Sequence, residues 1–402
     1  MARRALQDVT EEPAQQQRVR SIMDIASTPA SPDGNPELAD AAPQPAAPPL
    51  IRREDYAPFA WLVPTTHLDF QLGLEETLVT ATLAVERNPA AAPLPAIRLN
   101  GDGLELVSLQ CDGAACEGHM IDGDDLVVTL PGDKHTLTIV TRIRPADNSK
   151  LMGLYASNGM LCTQCEAEGF RRITFFPDRP DVLSTYSVRM RGPKAQFPVL
   201  LCNGNRTATG ADGESHWAEW HDPWPKPSYL FALVAGDLVA RNDSFTTMGG
   251  RKVELNVYVR AEDLDRTEHA MESLKRSMQW DEETFGREYD LDLFNIVAVS
   301  DFNMGAMENK GLNVFNTKFV LADPETATDG DYDGIEGVIG HEYFHNWSGN
   351  RVTCRDWFQL SLKEGWPSSP RIRARWHTRF GPIPIVRSTT STLPPSTTRG
   401  LR

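Results

Sequence analysis

The sequence predicts two unlike folded regions: a β-rich N-terminal domain, built as an antiparallel saddle or sandwich, and an incomplete α+β domain after it. Three patterns predict this. Short alternating, β-branched runs recur between residues 53 and 237, separated by turn-forming residues. Near residue 238 the period changes and apolar residues begin to recur at helical spacing. One later helical stretch, residues 335–346, carries two histidines four positions apart.

Residues 1–52 are rich in Ala, Pro and Gln, and the run from Ala41 to Pro49 can build neither a helix interior nor a sheet ladder. A disordered leader is expected there. Residues 53–237 then read as strands at 78–85, 104–109, 126–130, 136–143, 185–190, 198–202 and 229–235. Breaks such as Asn100-Gly101-Asp102-Gly103 and Pro131-Gly132-Asp133 separate them. In residues 238–365, Val253, Leu255, Val257 and Val259 alternate as a strand. Met271, Leu274, Met278 and Phe285 follow at helical spacing, and residues 293–299 form a further strand. Gly334, Gly337 and Gly340 lighten one face of the next helix, where a ligand or strand can approach closely. From Trp366 the composition becomes Arg, Ser, Thr and Pro with little periodicity, so residues 366–402 are expected to be an aberrant, disordered tail.

The net charge of −15 argues against nucleic acid and against an anionic membrane surface as partners. No apolar run reaches the roughly 18 residues a spanning helix needs. The N-terminus lacks the apolar stretch of a secretory signal, and six cysteines are few for 402 residues, which together predict a reducing cytoplasm. Cys162 and Cys165 have CxxC spacing, but no partner CxxC follows them and no thioredoxin-like pattern surrounds them. They read as structural residues.

The chemistry is concentrated in His341-Glu342-Tyr343-Phe344-His345 and in Glu364. Positions i and i+4 share a helix face, so His341 and His345 can offer two imidazoles to one metal ion. Glu342 lies beside them, within reach of a water on that metal. A catalytic zinc site has three protein ligands and one open position. Glu364, on a second short helical turn at Leu360–Gly365, can supply the third. This is the outline of a zinc peptidase. Two further blocks accompany it: Gly305-Ala306-Met307-Glu308-Asn309, whose natural place is the edge strand of a cleft, and Gln164-Cys165-Glu166-Ala167-Glu168-Gly169-Phe170 upstream.

With these three blocks in this order, the chain resembles the M1 family of zinc aminopeptidases from about Tyr56 to Gly365, most closely its bacterial alanyl-aminopeptidase branch. The resemblance implies a thermolysin-like catalytic domain and one Zn2+ held by His341, His345 and Glu364. It implies Glu342 as general base on the water bound to that zinc. Glu166 and Glu308 would hold the free α-amino group of a peptide substrate, and Gln164 and Met304 would line the first specificity pocket. Gly305 and Ala306 would align the peptide as an added strand, with Met307 and Asn309 in the same substrate-binding block. Two carboxylates beside a metal suit an exopeptidase, because they recognise a charged N-terminus and limit depth. The same two carboxylates disfavour an endopeptidase.

After Gly365 the chain departs from the family pattern. The resemblance implies a helical remainder and a tyrosine that donates to the reaction's oxyanion, but Tyr343 is the last of eight tyrosines. The alternative expectation is therefore a catalytically incompetent, truncated or frame-shifted remnant of such an enzyme.

Overall fold

The computed structural model describes residues 50–365. The tail expected after Gly365, and all but the end of the expected leader, lie outside these residues. Strands dominate the first part. An eight-stranded sheet runs in the order 205–212, 215–226, 184–193, 61–71, 77–87, 134–143, 105–111 and 114–115. Alternation dictates it: Thr77–Arg87 buries Thr77, Val79, Ala81, Leu83 and Val85 and turns the residues between them outward. A three-stranded sheet (Ala96–Leu99, Asp125–Thr129, His119–Asp122) and a four-stranded sheet (Val199–Cys202, Leu233–Gly236, Met160–Gln164, Gly153–Ser157) complete this region.

Pairing is mostly antiparallel, as the hairpin-like spacing predicts, with one exception. Trp61–Gln71 pairs parallel with Ser184–Pro193, because a long excursion separates the two strands in sequence. Trp61–Gln71 also escapes the alternation signal. It contains Pro64, and its register shifts between Leu62 and Thr65, so the apolar period is broken where the strand begins. The strand expected at 229–235 starts later, at Leu233: Pro227 leads into a 3-10 turn at Ser228–Leu230 before the chain extends.

A mixed five-stranded sheet carries the second part, in the order Val239–Thr246, Lys252–Val259, Leu293–Val299, Leu312–Asn316 and Ala306–Met307. Its three central strands are parallel and its two edges antiparallel. Helix α1 (Glu268–Phe285) and helix α2 (Asp329–Phe344) pack on one face of it. The other face joins the core of the β-rich region. Leu293–Val299 shows how: Phe294, Ile296 and Ala298 pack with the helices, while Val297 and Val299 pack with the β-rich core. Short helix α3 (Leu360–Gly365) ends the described chain. No helix among the described residues is long and apolar enough to cross a membrane.

Helix α2 begins at Asp329, earlier than the expected 335, because Thr328 and Asp331 form a capping box. The Asp331 backbone donates to Thr328 Oγ1, and the Thr328 backbone donates to Asp331 Oδ2 at 2.8 Å. Thr328→Ala is expected to cost about 1 kcal/mol of stability, read from urea unfolding. Tyr332, Ile335, Ile339 and Tyr343 form the stripe that α2 buries against the sheet.

Candidate metal and peptide-binding site

The last turn of α2 carries His341, and its C-cap residue, still in helical conformation, is His345, four residues on and on the same face as the helical repeat requires. Their Nε2 atoms stand 3.0 Å apart. Glu364 on α3 brings Oε2 to 3.2 Å from His341 Nε2 and 3.4 Å from His345 Nε2. His345 Nδ1 lies 2.6 Å from the Ser348 carbonyl, which fixes the ring with N–H on Nδ1 and directs Nε2 into this triangle. Gly349 makes the approach possible: it adopts φ +144, and a Cβ there would stand 3.0 Å from His345 Nδ1. Asn350 secures the same turn, donating Nδ2 to the carbonyls of Glu308 (2.9 Å) and His345 (3.1 Å).

Beside the triangle lies a cavity of about 630 Å³, walled by Glu166, Met304, Gly305, Ala306, Glu308, His341, Glu342 and Glu364 among others. Gly334, Gly337 and Gly340 also line it, so the light face of α2 is the face turned to open space. Ala306–Met307 is the edge strand of the five-stranded sheet, the place expected for the block that contains it. Glu166 follows the strand Met160–Gln164 of the β-rich region. The two carboxylates implied by the resemblance therefore reach one wall from two different sheets.

The remaining predicted residues sit behind that wall. Gln164 is buried and donates Nε2 to the Glu166 carbonyl (3.3 Å), with Met304 Sδ at 2.9 Å. Met307 and Asn309 are buried too, and Asn309 donates Nδ2 to the Phe231 carbonyl at 3.4 Å. These two brace the edge strand instead of facing the cavity. Cys162 and Cys165 are free thiols in the core of the β-rich region.

Four carboxylates crowd this site, and their ionisation reflects it. Burial raises Glu342 to about 8, with Glu308 and Glu364 adding to the rise. Burial alone would lower His345, but Glu308, Glu364 and Glu342 outweigh it and push the imidazole up to about 9. Burial works against Glu364, yet its hydrogen bonds from His341 and His345 hold its carboxyl far below the usual range. One ammonium balances the acids. Lys363 on α3 is buried and contacts Glu166, Glu308 and Glu364. Its sequence position next to Glu364 was the signal available for it; its other two partners, Glu166 and Glu308, lie far away in sequence.

The Peptidase M1 N-terminal domain family matches residues 63–230. The Peptidase family M1 domain matches residues 269–377, and that span contains the histidine pair, Glu308 and Glu364. The chain belongs to the M1 peptidase family. Among M1 relatives, the Aminopeptidase N of Caulobacter vibrioides is 57% identical over 322 residues, covering 79% of this chain and 37% of that protein. The Aminopeptidase N of Escherichia coli is 54% identical over 315 residues, covering 78% and 36%. A crystal structure of Legionella pneumophila aminopeptidase A in complex with aspartic acid superposes with a TM-score of 0.77 at 35% identity, covering 82% of this chain and 39% of that one. The chain thus spans little more than a third of the length of the M1 relatives it matches.

Proposed function

We propose that this chain carries the metal and amino-group half of a zinc aminopeptidase, which removes residues from peptides with a free N-terminus. One observation carries the reading. Two imidazole nitrogens and a carboxylate oxygen converge at 3.0–3.4 Å from one another, beside a second pair of carboxylates. Ligands bound tetrahedrally at the usual zinc distances of roughly 2.0–2.1 Å stand about 3.3 Å apart, so the donor set and its spacing both fit zinc. His341, His345 and Glu364 would hold it. When bound, zinc supplies Lewis-acid polarisation of the scissile carbonyl and a water of pKa near 7.

The chain's own residues supply the rest. Glu342 lines the cavity next to both histidines and takes a proton from the attacking water, then passes it to the leaving amine. Glu166 and Glu308 receive the substrate ammonium through charge-assisted hydrogen bonds. The backbone of Gly305 and Ala306 extends the sheet edge toward a peptide, and Met304, close to Gln164, meets its first side chain. The names of the M1 relatives support removal of N-terminal residues as the reaction.

The test is hydrolysis of L-alanyl-p-nitroanilide by the purified chain, with bound metal measured alongside. Turnover that a chelator abolishes and zinc restores is expected. One zinc per chain without turnover is the result expected of an incompetent remnant, and it would overturn the proposal.

A further inference from the structure

Glu166, Glu308 and Glu364 come from three separate stretches: a loop of the β-rich region, the end of the edge strand, and α3. Nothing local holds them together, and three neighbouring carboxylates repel. A single side chain joins them. Lys363 Nζ lies 2.8 Å from Glu166 Oε1, 2.5 Å from Glu308 Oε1 and 2.8 Å from Glu364 Oε1. The lysine side chain is 2% exposed. Among the described residues, the cavity wall includes all three glutamates and not Lys363, so the ammonium meets them from the protein side. Each carboxylate keeps a second oxygen for another partner.

We infer that Lys363 is a positioning residue that assembles the amino-group seat, gripping one oxygen of Glu166 and of Glu308 from behind and leaving the other for a substrate ammonium. This rests on the aminopeptidase reading. Lys363 offsets the charge of carboxylates that must sit close enough to share one small cation. It also ties that seat to the metal ligand next to it in sequence, so the distance from N-terminus to scissile bond is set by one side chain. The Tyr229 ring, 5.3 Å from Nζ, closes the pocket around the ammonium.

The test uses the zinc-loaded full chain and titration calorimetry with two probes, L-alaninamide and N-acetyl-L-alaninamide. The wild-type chain is expected to prefer the free amine. Lys363→Met should weaken L-alaninamide by about tenfold or more, with the acetylated probe and the zinc stoichiometry unmoved. A merely structural defect would weaken both probes and zinc together. Unchanged or tighter binding of L-alaninamide overturns the inference, and tighter binding would mean that Lys363 competes for the seat. Should Lys363→Met not fold, the same substitution in a Glu166→Gln background carries one fewer buried negative charge. Compared with Glu166→Gln alone, it should show a further loss, and no further loss overturns the inference. A wild-type chain that binds both probes alike overturns the aminopeptidase reading as well as the seat.

Discussion

Glu342→Gln is expected to keep one zinc per chain and to lower hydrolysis of L-alanyl-p-nitroanilide by about 10²–10⁴-fold, the usual contribution of a positioned general base. Glutamine has nearly the same shape but cannot take a proton. The substitution should not act through unfolding, and the sign follows from the carboxyl's environment. Burial raises Glu342 to about 8 in the folded protein. A raised carboxyl stabilises the fold fully only below its unfolded value, and that contribution is lost as pH rises through the folded one. At pH 8 the metal-free wild type therefore carries a cost that glutamine removes. Metal-free Glu342→Gln should be at least as stable as wild type in urea unfolding at that pH. Full retention of turnover would remove Glu342 from the chemistry.

Zinc affinity is expected to rise about tenfold per pH unit until roughly pH 9, or about a hundredfold between pH 6 and pH 8. His345 is the cause. Its imidazole is pushed up to about 9 by Glu308, Glu364 and Glu342, in spite of burial. At neutral pH the metal-free site holds a proton on His345, and a ligand imidazole must be neutral. Metal uptake then expels that proton, so acid competes with zinc. Competition against a chromophoric chelator at several pH values measures the slope. A flat response below pH 9 would show that His345 enters the site already neutral.

How much of this was legible in the chain depends on how local each signal is. Thr77–Arg87 could be read because its period of two survives along its whole length. Trp61–Gln71, in the middle of the same sheet, could not, since Pro64 and the register shift before Thr65 break the period. The parallel pairing of that strand depends on a contact across more than a hundred residues, which no window of sequence contains. The site divides in the same way. His341 and His345 obey a helical repeat, and Glu364 lies close behind them. The fit of Gly349 against the His345 ring, and the grip of Lys363 on Glu166, are tertiary contacts. Composition and spacing carry no trace of them. Glycine at 349 becomes informative only once its φ and its neighbour are known.

The strand Leu293–Val299 has a mechanical consequence. It gives alternate residues to two hydrophobic cores, so the boundary between the β-rich region and the helical layer is a sheet and not a linker. Domain closure needs a few residues that can absorb large changes in φ and ψ, and a strand packed on both faces offers none. Glu166 on one side and Glu308 on the other are therefore held at fixed separation. On the aminopeptidase reading, the two carboxylates would form a stiff depth gauge, and adaptation to different first residues would fall to movable side chains at the rim. Met304, 41% exposed and unbranched, would suit that task.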